Sequence, residues 1–387
     1  MHLVETYALA CGAKIDKPYI YEKYFPLPNA KYISFQPFAG APIKNYDYWQ
    51  EVINILSPSL SKEKISILQI GAKDEKIFKG CLSVVGHTNV NQAAYVISRG
   101  ELHLGADSFG VHIASSQEKR IVSLYSNNLI KNVGPYWSES KDVALLEPKR
   151  EGKPNYSTEE KPKSINSIKP EDIAQSVCRL LNIKFKKPYQ TIFTGERFGE
   201  DEFLVFVPDT IHMIRKPPQP IEIRMDYHFD ESMLEKQLGI CPCGIITKRP
   251  INLEMLKRYK PHVGHLFYEI TENDKPEFAQ AVRKLGIKIM PISRLPKEEL
   301  SRKKIDYLDV GKINVVEEPD EKLIKKIKKE SNLFYKSNKI IMSREKTFSS
   351  YPKYKKDQPS NGNFEPVETS DMFFDDLDHY HIVKKLD

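Results

Sequence analysis

Between residues 31 and 125 the chain alternates short β-branched and aromatic runs with amphipathic stretches, an order that excludes all-α and all-β folds. Strand character is found at 32–35, 65–70, 82–85, 101–105 and 120–125. Helical periodicity fills the gaps: 46–56, with Trp49, Val52, Ile53 and Leu56 on one face, a short helix near 74–80, then 91–98 and 109–116. Spacings this short predict βαβ units and a parallel sheet. A short helix over 2–13 precedes the series, with Leu3, Tyr7, Ala8 and Cys11 on one face, and Pro18, Pro26 and Pro28 mark the connection.

Residues 148–168 are rich in Lys, Glu, Pro, Ser and Asn and read as a surface loop. Lys169-Pro170-Glu171-Asp172 then opens a helix, with Pro at an early position and acids in the first turn. Lys187-Pro188 marks a domain boundary. A second series follows, with strands near 202–208, 221–225, 244–247, 263–270, 287–292 and 312–316 and helices between them. The expected organisation is a first α/β domain over 1–187, a second α/β domain over 188–343 and a partly ordered tail over 344–387.

At 387 residues and 40% apolar content, the chain is long and apolar enough for two cores, which excludes a largely disordered protein. Its formal charge of +7 is spread over 59 basic and 52 acidic residues, a balance that gives no basis for a nucleic-acid partner. No stretch is apolar enough to span a bilayer, the first residues lack a secretory signal core, and the five cysteines are odd in number and scattered. The expected compartment is the cytoplasm.

The most chemically loaded segment is Leu102 to Ala114, a strand that ends on a turn and runs at once into a helix. Such a turn offers free N–H groups at a positive helix end, where a phosphate or ribose is held at the carboxyl edge of a sheet. Asp107, Ser108, Gly110 and His112 sit on it. The bland reading makes Asp107 an N-cap and His112 a satisfied, partly buried side chain; the upstream Lys44, four residues before Tyr48 and five before Trp49, favours a binding site. Glu75 follows the strand that ends at Gly71, and serves equally as a hydroxyl acceptor or as an exposed first-turn acid.

From about residue 2 to 183 these features together resemble the nucleotide-binding half of family 9 glycosyltransferases, the heptosyltransferase-like group with the GT-B fold. The matching runs are Phe35 to Trp49 with its Lys44, Gln69 to Glu75, and Asp107 to His112. Phe109 stands where the family places a glycine, and Gly110 comes one residue later. The resemblance implies a Rossmann-like parallel-sheet domain of GT-B type followed here by a second α/β domain. It implies binding of a nucleotide-diphosphate sugar as donor substrate, transfer of the sugar to an unknown acceptor, and no metal or other cofactor. Lys44 would contact the diphosphate, Ser108 and the N–H groups at 108–110 would hold phosphate oxygens, His112 would fix the same group, and Glu75 would contact the nucleoside.

The family's acceptor domain is not matched. That leaves open a non-catalytic binding or interaction protein, or one piece of a split enzyme whose partner chain supplies an acceptor domain. A general base on the second domain would be a carboxylate, with Asp209, Asp226 and Asp230 as candidates. Cys241-Pro242-Cys243, with His262 and His265 nearby, is too closely spaced for a zinc site and reads as structural. Lys325 to Lys329 read as a solvated helix face, and Asp378 to His381 as a flexible or docking segment.

Overall fold

The computed structural model describes residues 1–150, 152–214, 221–316 and 320–386; residue 151 of the expected loop and residue 387 of the expected tail lie outside the described residues. The chain divides into two compact units, Met1–Thr191 with Lys385–Asp387, and Ile192–Lys384.

In the first unit, six strands form one sheet: β1 (Lys31–Gln36), β2 (Ile65–Gln69), β3 (Leu82–Ser83), β4 (His103–Ala106), β5 (Ile121–Leu124) and β6 (Val143–Leu146). Their spatial order is β3-β2-β1-β4-β5-β6, and every pairing is parallel. This is the strand order of a doubly wound, Rossmann-like sheet, with its switch point between β1 and β4. The connecting helices are α1 (Leu3–Cys11), α2 (Trp49–Lys62), α3 (Val90–Arg99), α4 (Phe109–Ser116), α5 (Ile130–Val133) and α6 (Pro170–Leu181).

β4 and β5 are buried along their whole length, so their sequences show no inside–outside alternation, and even the polar His103 and Ser123 are buried. Tyr32, Leu68 and Ile70 pack against Ala93, Val96 and Ile97 of α3 and Val111 and Ala114 of α4. Elsewhere in the unit, Phe35 meets Trp49 of α2 edge to face at 5.1 Å. The helix expected near 74–80 does not form. Gln69 captures that backbone instead: its Nε2 donates to the Lys76 carbonyl at 2.7 Å, and the Phe78 N–H donates to its Oε1 at 3.0 Å. Two bonds to one buried amide side chain compete directly with the helical ladder.

β7 (Tyr189–Thr194) crosses the boundary between the units. The second unit continues with β8 (Phe203–Phe206), β9 (Ile221–Arg224), β10 (Cys243–Thr247), β11 (Val263–Ile270), β12 (Ile289–Ser293), β13 (Asn314–Val315), β14 (Leu333–Ser337), β15 (Lys339–Ser343), β16 (Lys346–Phe348), β17 (Glu365–Pro366) and β18 (Tyr380–Lys385). β8 to β13 lie side by side in sequence order and parallel, extended past β8 by β15 and β16. The helices are α7 (Glu231–Leu238), α8 (Leu253–Arg258), α9 (Glu277–Lys284), α10 (Lys297–Asp306), α11 (Glu321–Lys329), α12 (Tyr351–Lys355) and α13 (Asp371–Phe374). Crossovers of one hand between successive neighbours put α7 to α10 on one face, where Leu234, Leu256, Val282 and Leu300 pack on Ile223, Ile245 and Leu266.

Residues 344–386, which composition marks as a partly ordered tail, carry β16 to β18, α12 and α13. β18 pairs antiparallel with β14, and Phe373, Phe374, Tyr380 and Ile382 are buried. The apolar residues come in runs too short to stand out among the flanking charges. The two histidines of Asp378 to His381 are buried rather than held on a free segment: His379 Nδ1 bonds Asn338 Oδ1 at 2.9 Å and His381 Nδ1 bonds Thr194 Oγ1 at 2.8 Å. Among the described residues no helix is long and apolar enough to cross a membrane.

Candidate functional site

The carboxyl ends of β1 and β4 define the site. Gln36 is the last residue of β1, and Asp107 and Ser108 follow β4 directly. The Gln36 side chain ties the two together: Nε2 donates to Ser108 Oγ at 3.2 Å, and Oε1 accepts from the Gly110 N–H at 3.1 Å. A Cβ on Gly110 would fall 2.4 Å from Gln36 Oε1 and 2.8 Å from His103 Nε2. The glycine therefore lets the first turn of α4 seat on β1 and β4. Ser108, not Asp107, is the N-cap, with extended backbone and no side-chain cap bond. Phe109 begins the helix with its side chain partly exposed, so the position asks for none of glycine's conformational freedom.

Lys44 closes a 3-10 turn, Pro42–Lys44, pinned on both sides. The Ile43 N–H donates to the Thr158 carbonyl at 3.1 Å, the Ala39 N–H to Asn45 Oδ1 at 2.8 Å, and Lys163 Nζ to Asp47 Oδ1 at 2.6 Å. From this turn Lys44 Nζ reaches Asp107 Oδ2 at 2.7 Å and the Asp107 carbonyl at 3.4 Å. The Asp107 side chain is 4% exposed and the Lys44 side chain 21%. Four of the expected residues, Lys44, Asp107, Ser108 and Gly110, thus form one bonded group, with Gln36 as a linker that the sequence did not single out.

His112 lies one turn into α4, and burial holds its pKa below 6.5 against the opposing field of Asp107. At neutral pH it is an uncharged imidazole that can donate or accept. Glu75 stands on the loop after β2, with its carboxylate over Gly71 and Oε2 buried without a partner. Burial raises its pKa, and a donor such as a hydroxyl would satisfy it.

Further residues at this edge had no motif to announce them. Tyr125, just past β5, is fully buried; burial first, and the Asp107 charge second, raise its pKa, against the opposing effect of Ser123. Arg150 Nη1 donates to the Ser126 carbonyl, while Arg150 Nε and Nη2 are buried without partners. A guanidinium with idle buried donors is suited to an anion. Tyr125 ends the strand expected over 120–125, and Arg150 lay in a stretch that composition marks only as a loop.

In the second unit, Asp209 accepts from Ser343 Oγ at 2.6 Å, and Asp230 caps α7 by accepting from the Met233 N–H at 3.0 Å. Asp226 is held bidentately by Arg224, at 2.7 and 2.6 Å. Cys241 and Cys243 are buried, their sulfurs 3.6 Å apart, and His262 instead bonds the Leu238 carbonyl. Lys325 and Lys328 make exposed ion pairs with Glu321 and Asp371.

Residues 13–164 match glycosyltransferase family 9 (heptosyltransferase), and the match ends within the first unit. No curated relative matches the chain in sequence. Among solved structures, the E. coli ADP-heptose LPS heptosyltransferase II is 17% identical, with 46% of this chain and 51% of that one covered and a TM-score of 0.32. A family 9 glycosyltransferase from Veillonella parvula DSM 2008 is 16% identical over 46% and 50%, with a TM-score of 0.33. The E. coli heptosyltransferase WaaC with ADP is 15% identical over 45% and 53%, with a TM-score of 0.32. The chain spans about half the length of these structures. By the sequence of residues 13–164, the first unit resembles the family 9 glycosyltransferases.

Proposed function

We propose that the first unit binds the diphosphate of a nucleotide sugar at the carboxyl ends of β1 and β4, and that the protein acts in glycosyl transfer from that donor to an acceptor. The observation that carries this reading is the bonded group of Lys44, Asp107, Ser108 and Gly110 at the switch point of a doubly wound sheet, where such folds bind phosphates. Lys44, Arg150 and the N-terminus of α4 supply positive charge for the leaving diphosphate without calling on a metal ion. The Gly110 N–H is committed to Gln36, so the phosphate donors in this reading are Ser108 Oγ and the N–H groups of Ser108 and Phe109. His112, neutral at the same helix end, donates to the diphosphate, and Glu75 accepts a nucleoside hydroxyl.

Calorimetric titration of the full chain with ADP, UDP and GDP tests the reading. Binding of at least one, weakened tenfold or more in Lys44→Met, supports it; binding by none, or binding indifferent to Lys44→Met, refutes it. A second reading is favoured by the short reach of the family match: the chain is a binding protein, or one piece of a two-chain enzyme. Release of nucleoside diphosphate from nucleotide sugars by the chain alone separates catalysis from these.

A further inference from the structure

On the face of the second unit's sheet opposite α7 to α10, α12 packs Tyr351 and Tyr354 on Val205 and Ile341, and the neighbouring strand ends carry charge. Along β9 the residues alternate, Ile221 and Ile223 toward the helices, Glu222 and Arg224 away from them, and Glu269 on β11 keeps the same side as Arg224. At the carboxyl ends of the strands, Arg224 and Asp226 follow from β9, Lys248 from β10, Glu269 from β11 and Arg294 from β12. These five, with Asp376, line a cleft of 310 Å³, walled on its other side by Tyr227, Tyr351 and Met372. Carboxyl ends of adjacent parallel strands are where α/β sheets place ligands.

From this cleft we infer that the second unit carries its own binding site for a single neutral sugar ring. The charges are paired one for one. Arg224 grips Asp226 with two bonds, Lys339 holds Asp376 at 2.6 Å, and Glu269 lies 3.2 Å from Lys248 and 3.9 Å from Arg294, which also reaches Asp375 at 3.4 Å. An anionic ligand would meet four carboxylates, and a cationic one the three basic groups of the lining, with Lys339 buried behind Asp376. A neutral polyol gains from both, since carboxylates accept its hydroxyl protons and guanidinium and ammonium groups donate to its oxygens. Tyr227 is clamped between Arg224, 3.8 Å from its ring centre, and Tyr351 at 4.1 Å, which fixes the polar groups before any ligand arrives. Tyr351 and the exposed Met372 offer an apolar wall for the C–H face of a ring. The volume is at the low end of the ~300–1,000 Å³ range of small-molecule pockets, which fits one ring rather than a chain of them.

The experiment is saturation-transfer NMR on the full-length protein, with D-glucose, D-galactose and D-mannose as probes and D-glucuronate, inorganic phosphate and spermidine as charged controls. Saturation of at least one neutral hexose is expected, with affinity lowered about tenfold or more in Glu269→Gln and Arg294→Met. Arg294 is half exposed, so Arg294→Met leaves the fold intact, which a thermal melt verifies. Binding by the charged controls alone, binding by no hexose, or hexose affinity unchanged in both variants overturns the inference. It does not rest on the reading of the first unit: ADP titration of the same samples reports that site separately.

Discussion

His103 lies directly under the proposed phosphate turn and makes the first unit acid-sensitive. It is fully buried on β4, with Nδ1 3.0 Å from Ser34 Oγ and Nε2 facing Gly110 without a hydrogen-bond partner. Burial lowers its pKa from the ordinary 6.5 to about 3. In the unfolded chain it gains a proton below pH 6.5, while in the fold it stays neutral down to about pH 3. The unfolded state therefore binds more protons in that window, and stability falls as pH falls through it. Integrating from pH 7 to pH 5 gives a loss of about 2 kcal/mol from this one residue, at roughly 1.4 kcal/mol per pH unit below 6.5. Both tryptophans, Trp49 and Trp137, belong to the first unit, so urea unfolding followed by their fluorescence reports it selectively. His103→Asn keeps a polar partner for Ser34 and removes the titration. Whatever its own stability, its unfolding free energy between pH 7 and 5 should fall by about 2 kcal/mol less than that of the natural protein. An identical pH slope in the two proteins would refute the reasoning.

Removing Lys44 alone strands the buried Asp107 carboxylate, so Lys44→Met should cost about 3 kcal/mol in urea unfolding, and adding Asp107→Asn should restore most of it. Gly110→Ala drives a methyl into Gln36 and His103 and should cost about 1–3 kcal/mol while weakening any nucleotide binding, read by melting and calorimetry together. Arg150→Ala should lower nucleoside diphosphate affinity about tenfold while costing only about 1 kcal/mol in melting, since of its guanidinium nitrogens only Nη1 is bonded, to the Ser126 carbonyl. Glu171 accepts from both the N–H and the hydroxyl of Thr191, each at 2.8 Å; Glu171→Ala should destabilise the first unit by about 2–3 kcal/mol.

The alternation between residues 31 and 125 was enough to determine a parallel α/β sheet, because period and spacing are local properties of the chain. The 105–112 turn and the helix opening at Pro170 were legible for the same reason. Which strands become neighbours was not, since adjacency depends on the direction each crossover takes. Only the fold places β1 beside β4, and with that Gln36 against Ser108 across 72 residues of chain and Lys44 against Asp107 across 63. The absent helix near 74–80 and the structured stretch after 344 follow the same logic: a partner outside the segment, Gln69 a few residues upstream for one and β14 for the other, outweighed what the local composition favoured. Arg150 and the cleft in the second unit carry no motif because their charges come from separate strand ends and loops. Their pairing is a property of the sheet, and the tertiary structure alone decided it.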